Sequence, residues 1–192
     1  MRLDHFDWIA PFYRRVPYDA TMLKSLAGLP RQGHLLDIGG GSGRVAAALE
    51  GMIGQRWIAD TSMGMLRQAK KQKGLLLVYA PAEHLPFPNE HFELILMVDS
   101  FHHLLDQRRA MVEAWRVLRR GGLLIIEEPD IRHPLIKLVA LAEKILLMRS
   151  HFHAPPHIEQ ALKRLGAKTS IRTASYNAWI LAEKPLSEFI HG

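Results

Sequence analysis

An aspartate followed by a run of small residues is the part of the sequence whose types and spacing point most directly to chemistry. Asp37 stands two positions before Gly39, and Gly41 and Gly43 follow at alternate positions. A glycine-rich turn lets backbone N–H groups approach a ligand closely, and the acid adds a negative charge beside them. A phosphate cradle and a site for a cationic ligand are therefore the two chemistries to separate.

The residues at the end of this loop argue against both phosphate-binding patterns. The dinucleotide fingerprint places a third glycine where Arg44 stands, and a Walker loop needs Lys followed by Ser or Thr after Gly43. S-adenosylmethionine carries an ammonium, a sulfonium and a ribose diol but no phosphate, so carboxylates suit it. The pattern Asp-x-Gly-x-Gly-x-Gly favours this ligand, and the alternative is a plain tight turn with a capping aspartate.

A second acid, Asp60, closes the next apolar run, 23 positions after Asp37. An acid at about this offset reaches a ribose hydroxyl in nucleotide-binding sheets. Nicotinamide-binding folds share the feature, so it supports a nucleoside ligand without choosing the cofactor. The alternative is an aspartate at the start of a helix, next to Thr61.

Two adjacent histidines are the candidates for acid–base chemistry. His102 and His103 follow Asp99 closely at the end of a long apolar run. Unperturbed imidazole titrates near neutral pH, so either ring could serve as a general base. A structural role for both, one bonding the loop and one covering the cofactor, is the alternative. A second group of histidines has no acid nearby in sequence, so we expect no metal site there: His151, His153 and His157.

The elements that must position these residues alternate between strand and helix. Short apolar runs predict five strands, and amphipathic stretches between them predict helices, among them one over 18–27 and one that continues to Gly121. This alternation is typical of a parallel, doubly wound sheet whose ligands lie at the carboxyl ends of the strands. The predicted strands are HLLDI, RWIAD, LLLVYA, FELILMVDS and LLIIEEP.

The C-terminal part predicts two more strands and two more helices. An apolar helix is expected from Leu135 to Met148, and the loop HFHAPPH separates it from the helix IEQALKRLG. The strands KTSIRTA and AWILAEKP, joined at 175–177, read as an antiparallel hairpin. The expected architecture is a Rossmann-like α/β fold with a doubly wound, mostly parallel seven-stranded sheet, a C-terminal antiparallel hairpin and helices on both faces.

Composition sets the outer limits on function. The chain has 192 residues, which fits a single domain over 1–192. The absence of cysteine excludes disulfides, zinc–thiolate sites and thiol nucleophiles. The net charge of +6 comes from scattered bases, so we expect no DNA partner. No apolar run is long enough to span a bilayer and no secretory signal opens the chain, so we expect a cytoplasmic protein.

The chain resembles the class I S-adenosylmethionine-dependent methyltransferases, and more narrowly the methyltransferase type 11 group that includes enzymes of ubiquinone and menaquinone biosynthesis. The resemblance covers essentially the whole chain. It rests on the ordered segments FDWIAPFYRRV, LLDIGGGSGR, ADTSMGMLRQA, PAEHLPFPNEHFELI, DSFHHLLD, WRVLRRGGLLIIEEP and WILAEKP. It implies an enzyme that uses S-adenosylmethionine, releases S-adenosylhomocysteine and methylates a small-molecule acceptor.

The resemblance also implies roles for individual residues. Asp37 and the adjacent glycines would hold the methionine end, Asp60 the ribose, Met65 the adenine, and Asp99 would lie beside the methionine portion. The group usually has Asp where Pro81 stands, so adenine would depend on apolar packing, on the Ala82 N–H or on Glu83. The expected cofactor-binding residues are Asp37, Gly39, Gly40, Gly41, Asp60, Thr61, Met65, Ala82, Glu83 and Asp99.

The residues that would bind the methyl acceptor are less clearly indicated by the sequence. The resemblance assigns residues 1–28 to a lid and 131–165 to acceptor-side helices, and Arg14 stands where the group often has Asp. The absence of an Asn/Asp-Pro-Pro-Tyr motif favours methylation at oxygen or carbon. The apolar helix after the fifth strand would be core, or it would face an apolar acceptor, a dimer partner or a membrane. Acceptor candidates are Tyr13, Tyr18, His102 and His151, and the catalytic candidates are His103 and His102.

Three alternatives stay open at this stage. One is a non-catalytic S-adenosylmethionine-binding or regulatory module, and another is methylation of RNA or protein. A nicotinamide oxidoreductase is disfavoured by Arg44. The oligomeric state is expected to be monomer or homodimer.

Overall fold

A seven-stranded sheet forms the centre of the protein, seen in a computed structural model that describes residues 17–145 and 150–186. The strand order is β3-β2-β1-β4-β5-β7-β6. Strands β1 to β5 run parallel, and β7 pairs antiparallel with both β5 and β6. The predicted fold class is therefore confirmed. The strands are β1 Leu35–Ile38, β2 Arg56–Asp60, β3 Leu75–Tyr79, β4 Phe92–Val98, β5 Leu118–Pro129, β6 Lys168–Ala174 and β7 Asn177–Glu183.

Helices cover both faces of this sheet. Apolar side chains of α4 and α6 join one buried cluster, and those of α1, α2 and α3 join a second cluster on the opposite face. A short 3-10 turn, Phe101–His103, follows β4. The helices are α1 Thr21–Ala27, α2 Arg44–Ala48, α3 Met63–Ala69, α4 Gln107–Val117, α5 Pro134–Ile145 and α6 Pro155–Arg164.

The chain reverses its direction of winding between β1 and β4. Strand β1 pairs with β2 on one side and with β4 on the other, so the loops that leave β1 and β4 diverge. Such a switch point opens a crevice at the carboxyl ends of the strands. Asp37 lies within β1 opposite Ile58 and Leu96, which places its carboxylate directly below this crevice.

Several element boundaries differ from the prediction. The first helix begins at Thr21 and not at residue 18. The helix expected to continue to Gly121 ends at Val117, because Leu118 already pairs with Phe92 as the first residue of β5. The last helix includes His157, which the sequence had assigned to the preceding loop, because Pro155 suits the first turn of a helix.

Candidate functional site

A cavity of about 410 Å³ lies at the carboxyl edge of the sheet. This volume is typical of small-molecule sites. Loops that follow β1, β2, β3 and β4 form its walls. The structure brings together here all ten residues that the resemblance assigns to cofactor binding: Asp37, Gly39, Gly40, Gly41, Asp60, Thr61, Met65, Ala82, Glu83 and Asp99.

The glycine loop fits tightly between neighbouring elements. Gly39 has φ 68°, and a Cβ on it would lie 2.6 Å from the Ser100 Cβ. Gly43 has φ 78°, and a Cβ on it would lie 2.6 Å from a methyl group of Leu75. Only glycine satisfies both the backbone conformation and the close contact. Gly43 therefore provides the close approach of helix to sheet that the dinucleotide fingerprint assigns to the next position, Arg44.

Asp37 is a buried acid in the wall of this cavity. The residue is 1% exposed, and neither carboxylate oxygen has a close hydrogen-bond partner among the described residues. Burial, together with the nearby charge of Asp60, raises the pKa of Asp37 to about 7, and the charge of Arg44 and the backbone N–H of Ala46 act in the opposite direction. A buried carboxylate normally has hydrogen-bonding partners, so this one fits a ligand that brings a cationic donor.

Asp60 connects the glycine loop to the next helix. One carboxylate oxygen accepts the Gly41 N–H at 2.8 Å, and the other accepts the Ser62 N–H at 2.7 Å. Ser62 in turn caps α3, because its hydroxyl oxygen accepts the Met65 N–H at 3.1 Å. By residue type and position either Thr61 or Ser62 could cap this helix, and the structure selects Ser62. Met65 is thereby fixed against the cavity wall.

Charged side chains line the end of the cavity at which the methionine part of the cofactor is expected. Asp99 has φ 49°, and its carboxylate accepts from the Arg44 guanidinium at 3.0 Å. The same guanidinium lies 5.5 Å from the centre of the Tyr18 ring. The Tyr18 hydroxyl donates to Glu127, and burial raises the pKa of both groups. Tyr18, an acceptor candidate from the sequence, is not among the residues that line the cavity.

The two histidines have different surroundings. His103 lines the cavity, and its Nδ1 lies 3.2 Å from the Ser150 hydroxyl. Burial, with a smaller contribution from the charge of His102, lowers the pKa of His103 to about 3. His102 is buried away from the cavity, with Nδ1 2.5 Å from a Glu128 carboxylate oxygen. Only His103 is placed where it could touch a substrate.

Glu128 organises the turn that carries both histidines. Its second oxygen accepts the backbone N–H groups of Ser100 at 3.1 Å and Phe101 at 2.9 Å. The His102 carbonyl oxygen accepts the His151 N–H at 2.7 Å, so the segment after α5 lies against this turn. The His151 side chain is exposed and does not line the cavity. Tyr13 lies outside the described residues.

Sequence reasoning missed Glu127 and Glu128. Consecutive residues of a strand point to opposite faces of the sheet, so these two acids act on opposite sides of β5. The available signal was a pair of acids at the end of the apolar run LLIIEEP.

Comparison with known proteins supports the resemblance to methyltransferases. The methyltransferase domain family matches residues 36–126. The chain is 30% identical to the ubiquinone/menaquinone biosynthesis C-methyltransferase UbiE of Pectobacterium carotovorum, over 71% of this chain and 56% of that protein. It is 34% identical to the UbiE of Cupriavidus pinatubonensis, over 56% of this chain and 48% of that protein. The chain thus spans about half the length of these curated relatives.

A solved structure agrees with these matches. A SAM-dependent methyltransferase from Thermotoga maritima superimposes with a TM-score of 0.76 at 22% identity, over 93% of this chain and 98% of that chain. This likeness shows the fold. In sequence and in fold, the chain resembles the class I S-adenosylmethionine-dependent methyltransferases. The resemblance stated from the sequence motifs is confirmed.

Pro81 stands at the end of the cavity where the resemblance implies adenine and an aspartate. Proline brings no N–H, and its carbonyl oxygen already accepts the His84 N–H at 3.0 Å. One carboxylate oxygen of Glu83 accepts the Asp106 N–H at 3.0 Å. Ala82 is buried in the cavity wall. This end of the cavity therefore offers apolar surface and few uncommitted polar groups.

Helix α5 is more exposed than a core helix. Ile136 is buried, whereas Leu135, Leu138 and Leu141 are each more than half exposed. Of these four residues, only Ile136 agrees with the expectation that this helix belongs to the core. Within 17–145 and 150–186, no helix is long and apolar enough to cross a membrane. The same ranges contain no cluster of three or more His, Asp or Glu side chains suited to a metal ion.

Proposed function

We propose that the protein transfers the methyl group of S-adenosylmethionine to a small-molecule acceptor, at carbon or oxygen. The observation that carries the proposal is the buried carboxylate of Asp37, which has no close hydrogen-bond partner among the described residues and lies in the wall of a cavity of about 410 Å³. The ammonium of the cofactor would supply the missing donor as a charge-assisted hydrogen bond.

The remaining cofactor contacts follow from the geometry of the loops. The backbone around Gly40 would face the methionine end of the cofactor. Asp60 is held by the Gly41 and Ser62 N–H groups, and so its carboxylate is oriented for the ribose hydroxyls. Met65 would pack against adenine, because it is fixed in the same wall.

The bound cofactor supplies a methyl group on a positively charged sulfur, and its transfer leaves a neutral thioether. The work left to the protein is to align the acceptor and to exclude water. His103, Leu104 and Leu105 line the cavity side by side and would form part of the acceptor surface. An acceptor with an apolar body fits this surface.

His103 would act mainly by hydrogen bonding. Because burial lowers the pKa of His103 to about 3, its ring is neutral near pH 7 and has a lone pair to accept a hydrogen bond. A base with such a low pKa holds a proton poorly, so it suits an acceptor whose own proton is acidic, such as a phenol or an enol. The relatives are C-methyltransferases by name, which supports carbon as the acceptor atom.

The domain arrangement is part of the same proposal. We infer a single domain in which residues 17–20, just before α1, lie on one side of the site and the segment that begins at Ser150 lies on the other. The Arg44 guanidinium over the Tyr18 ring supports the first assignment. The Ser150 hydroxyl beside the His103 ring supports the second.

Calorimetric titration with S-adenosylmethionine and S-adenosylhomocysteine tests the cofactor assignment. Asp37→Ala should weaken binding by about 1.5–3 kcal/mol, roughly 10- to 150-fold, because a charged hydrogen bond is lost. Glu183→Gln is the matched control, since Glu183 is an exposed acid outside the cavity. Unchanged affinity in a folded Asp37→Ala protein would show that the loop is only a turn.

Release of S-adenosylhomocysteine over a panel of phenol and enol acceptors tests turnover. His103→Gln should lower kcat while the cofactor affinity stays constant. A second candidate function, cofactor binding without transfer, is favoured by Pro81 at the adenine end. Tight cofactor binding with no turnover on any acceptor would support that second function.

A further inference from the structure

A second cavity, of about 630 Å³, lies between α4 and α6. Among the described residues it shares no lining residue with the cavity of about 410 Å³ around Asp37, called the cofactor cavity below. Its volume is typical of sites that enclose a small organic molecule. The proposed methyl transfer makes no use of it, so the cavity raises a separate question of ligand.

The floor of this second cavity is apolar. Phe101, Met111 and Ile158 line it and are all buried, and they belong to the same hydrophobic cluster. Ala161 lies one helical turn beyond Ile158 and is only partly buried. Its small side chain leaves the groove between the two helices unfilled. The floor would therefore favour a hydrocarbon or aromatic body.

The rim of the second cavity is basic. Arg108, in the first turn of α4, and Arg164, at the end of α6, both line it, as do His153 and His157. No Asp or Glu is found among the lining residues that the structure describes. Within that described part, neither arginine has a carboxylate within ion-pair distance. Two arginines thus border an apolar groove, with no carboxylate in ion-pair distance of either among the described residues.

One side chain holds the mouth of the second cavity in place. The Gln107 amide nitrogen donates to the Phe101 carbonyl oxygen at 3.0 Å and to the His151 carbonyl oxygen at 2.8 Å. These bonds connect the start of α4 to the segment that leads into α6. A groove whose walls are connected in this way exists before a ligand arrives, which lowers the entropic cost of binding.

We propose that the second cavity binds an amphipathic anion: a small molecule with a carboxylate or phosphate group on a hydrocarbon or aromatic body. The arginines would pair with the anionic group by charge-assisted hydrogen bonds, and the histidines add N–H donors at the same rim. The body of the ligand would cover Met111 and Ile158. This binding is independent of the cofactor site.

Titration of the full chain with octanoate and with octyl phosphate tests the proposal, by calorimetry and by amide chemical shifts. Both ligands should bind saturably, at one molecule per chain. Octanol tests the need for the charge, inorganic phosphate tests the need for the apolar body, and anionic phospholipid vesicles test whether a lipid surface is the source of the anion. We expect octanol and inorganic phosphate to bind at least tenfold more weakly, and vesicles to add nothing.

Variants assign the binding to this cavity. Arg108→Gln and Arg164→Gln should each weaken octanoate about tenfold, which corresponds to about 1.4 kcal/mol. Arg172→Gln is the matched control, an exposed arginine outside both cavities. Ala161→Phe should fill the groove and abolish binding. If that variant fails to fold, the two arginine variants decide alone, with thermal midpoints measured to show that they are folded.

Four results would overturn the proposal: no saturable binding of either amphiphile, octanol binding as tight as that of octanoate, unchanged affinity in the Arg108→Gln/Arg164→Gln double variant, and binding to vesicles alone. Displacement of octanoate by S-adenosylhomocysteine would also overturn it, since it would place the anion in the cofactor cavity. Because cofactor affinity is measured separately, failure here is distinguishable from failure of the proposed methyl transfer.

Discussion

Lowering the pH from 7 to 5.5 should weaken the binding of S-adenosylmethionine, because Asp37 takes up a proton. The pKa of Asp37 in the ligand-free protein is about 7, and a cationic ligand binds the ionised form. At pH 5.5 a group with this pKa is about 3% ionised, against half at pH 7, so the apparent Kd should rise roughly 15-fold. Below pH 6 the slope should approach tenfold per pH unit.

The measurement is calorimetric titration with S-adenosylhomocysteine between pH 5.5 and 7.5, in two buffers with different heats of ionisation. An α-amino group titrates near pH 7.7–8.0, so the ligand stays cationic over most of this range. Binding at pH 6 should release close to one proton. In Asp37→Asn the affinity should be lower and independent of pH, whereas Glu183→Gln should keep the wild-type slope. A flat wild-type profile, or a slope that survives in Asp37→Asn, would refute the assignment.

Three further outcomes follow from the same structure. Gly43→Ala and Gly51→Ala both place alanine at positive φ, but only the alanine at position 43 would meet Leu75. In urea titrations, Gly43→Ala should therefore lower the free energy of unfolding by about 1–3 kcal/mol more than Gly51→Ala does. Equal losses in the two variants would contradict this. Ser62→Ala should cost about 1 kcal/mol through the lost cap, and a neutral result would show that the cap is dispensable. Between pH 4 and 7, Asp37 is protonated in the folded protein but ionised in the unfolded chain, so the stability of the ligand-free protein should fall as the pH rises through that window. Asp37→Asn removes the buried charge and should therefore raise Tm at pH 8 but not at pH 4.

Strands with local signals were predicted well from the sequence. RWIAD matches β2 residue for residue, because an apolar run there is bounded by a turn and by a helix cap. Leu118 shows where such reasoning stops. Its spacing from Met111 and Trp115 is helical, yet it begins β5, since Phe92 pairs with it and the Lys184 ammonium donates to its carbonyl oxygen. Those partners lie 26 and 66 positions away in the chain, so no local pattern could reveal them.

The same distinction applies to the site. Asp37 and Asp60 were predictable, because an acid at the end of a buried strand is unusual and parallel strands bring such ends together. The roles of the two histidines were not, because they depend on which ring meets Glu128. Glu128 is distant in sequence, and it turns His102 inward and leaves His103 at the cavity.

Charge distinguishes the two cavities more sharply than shape. The chain carries a net charge of +6, yet four carboxylates line the cofactor cavity within the described residues, and Arg44 is the one arginine or lysine among its lining residues. Because Arg44 is paired with Asp99, the acids Asp37, Asp60 and Glu83 leave this cavity acidic in an otherwise basic protein. A sulfonium bearing an ammonium is favoured there and a phosphate is disfavoured. The charges around the glycine loop therefore favour a cationic ligand, although the backbone pattern of the loop is close to that of a phosphate cradle.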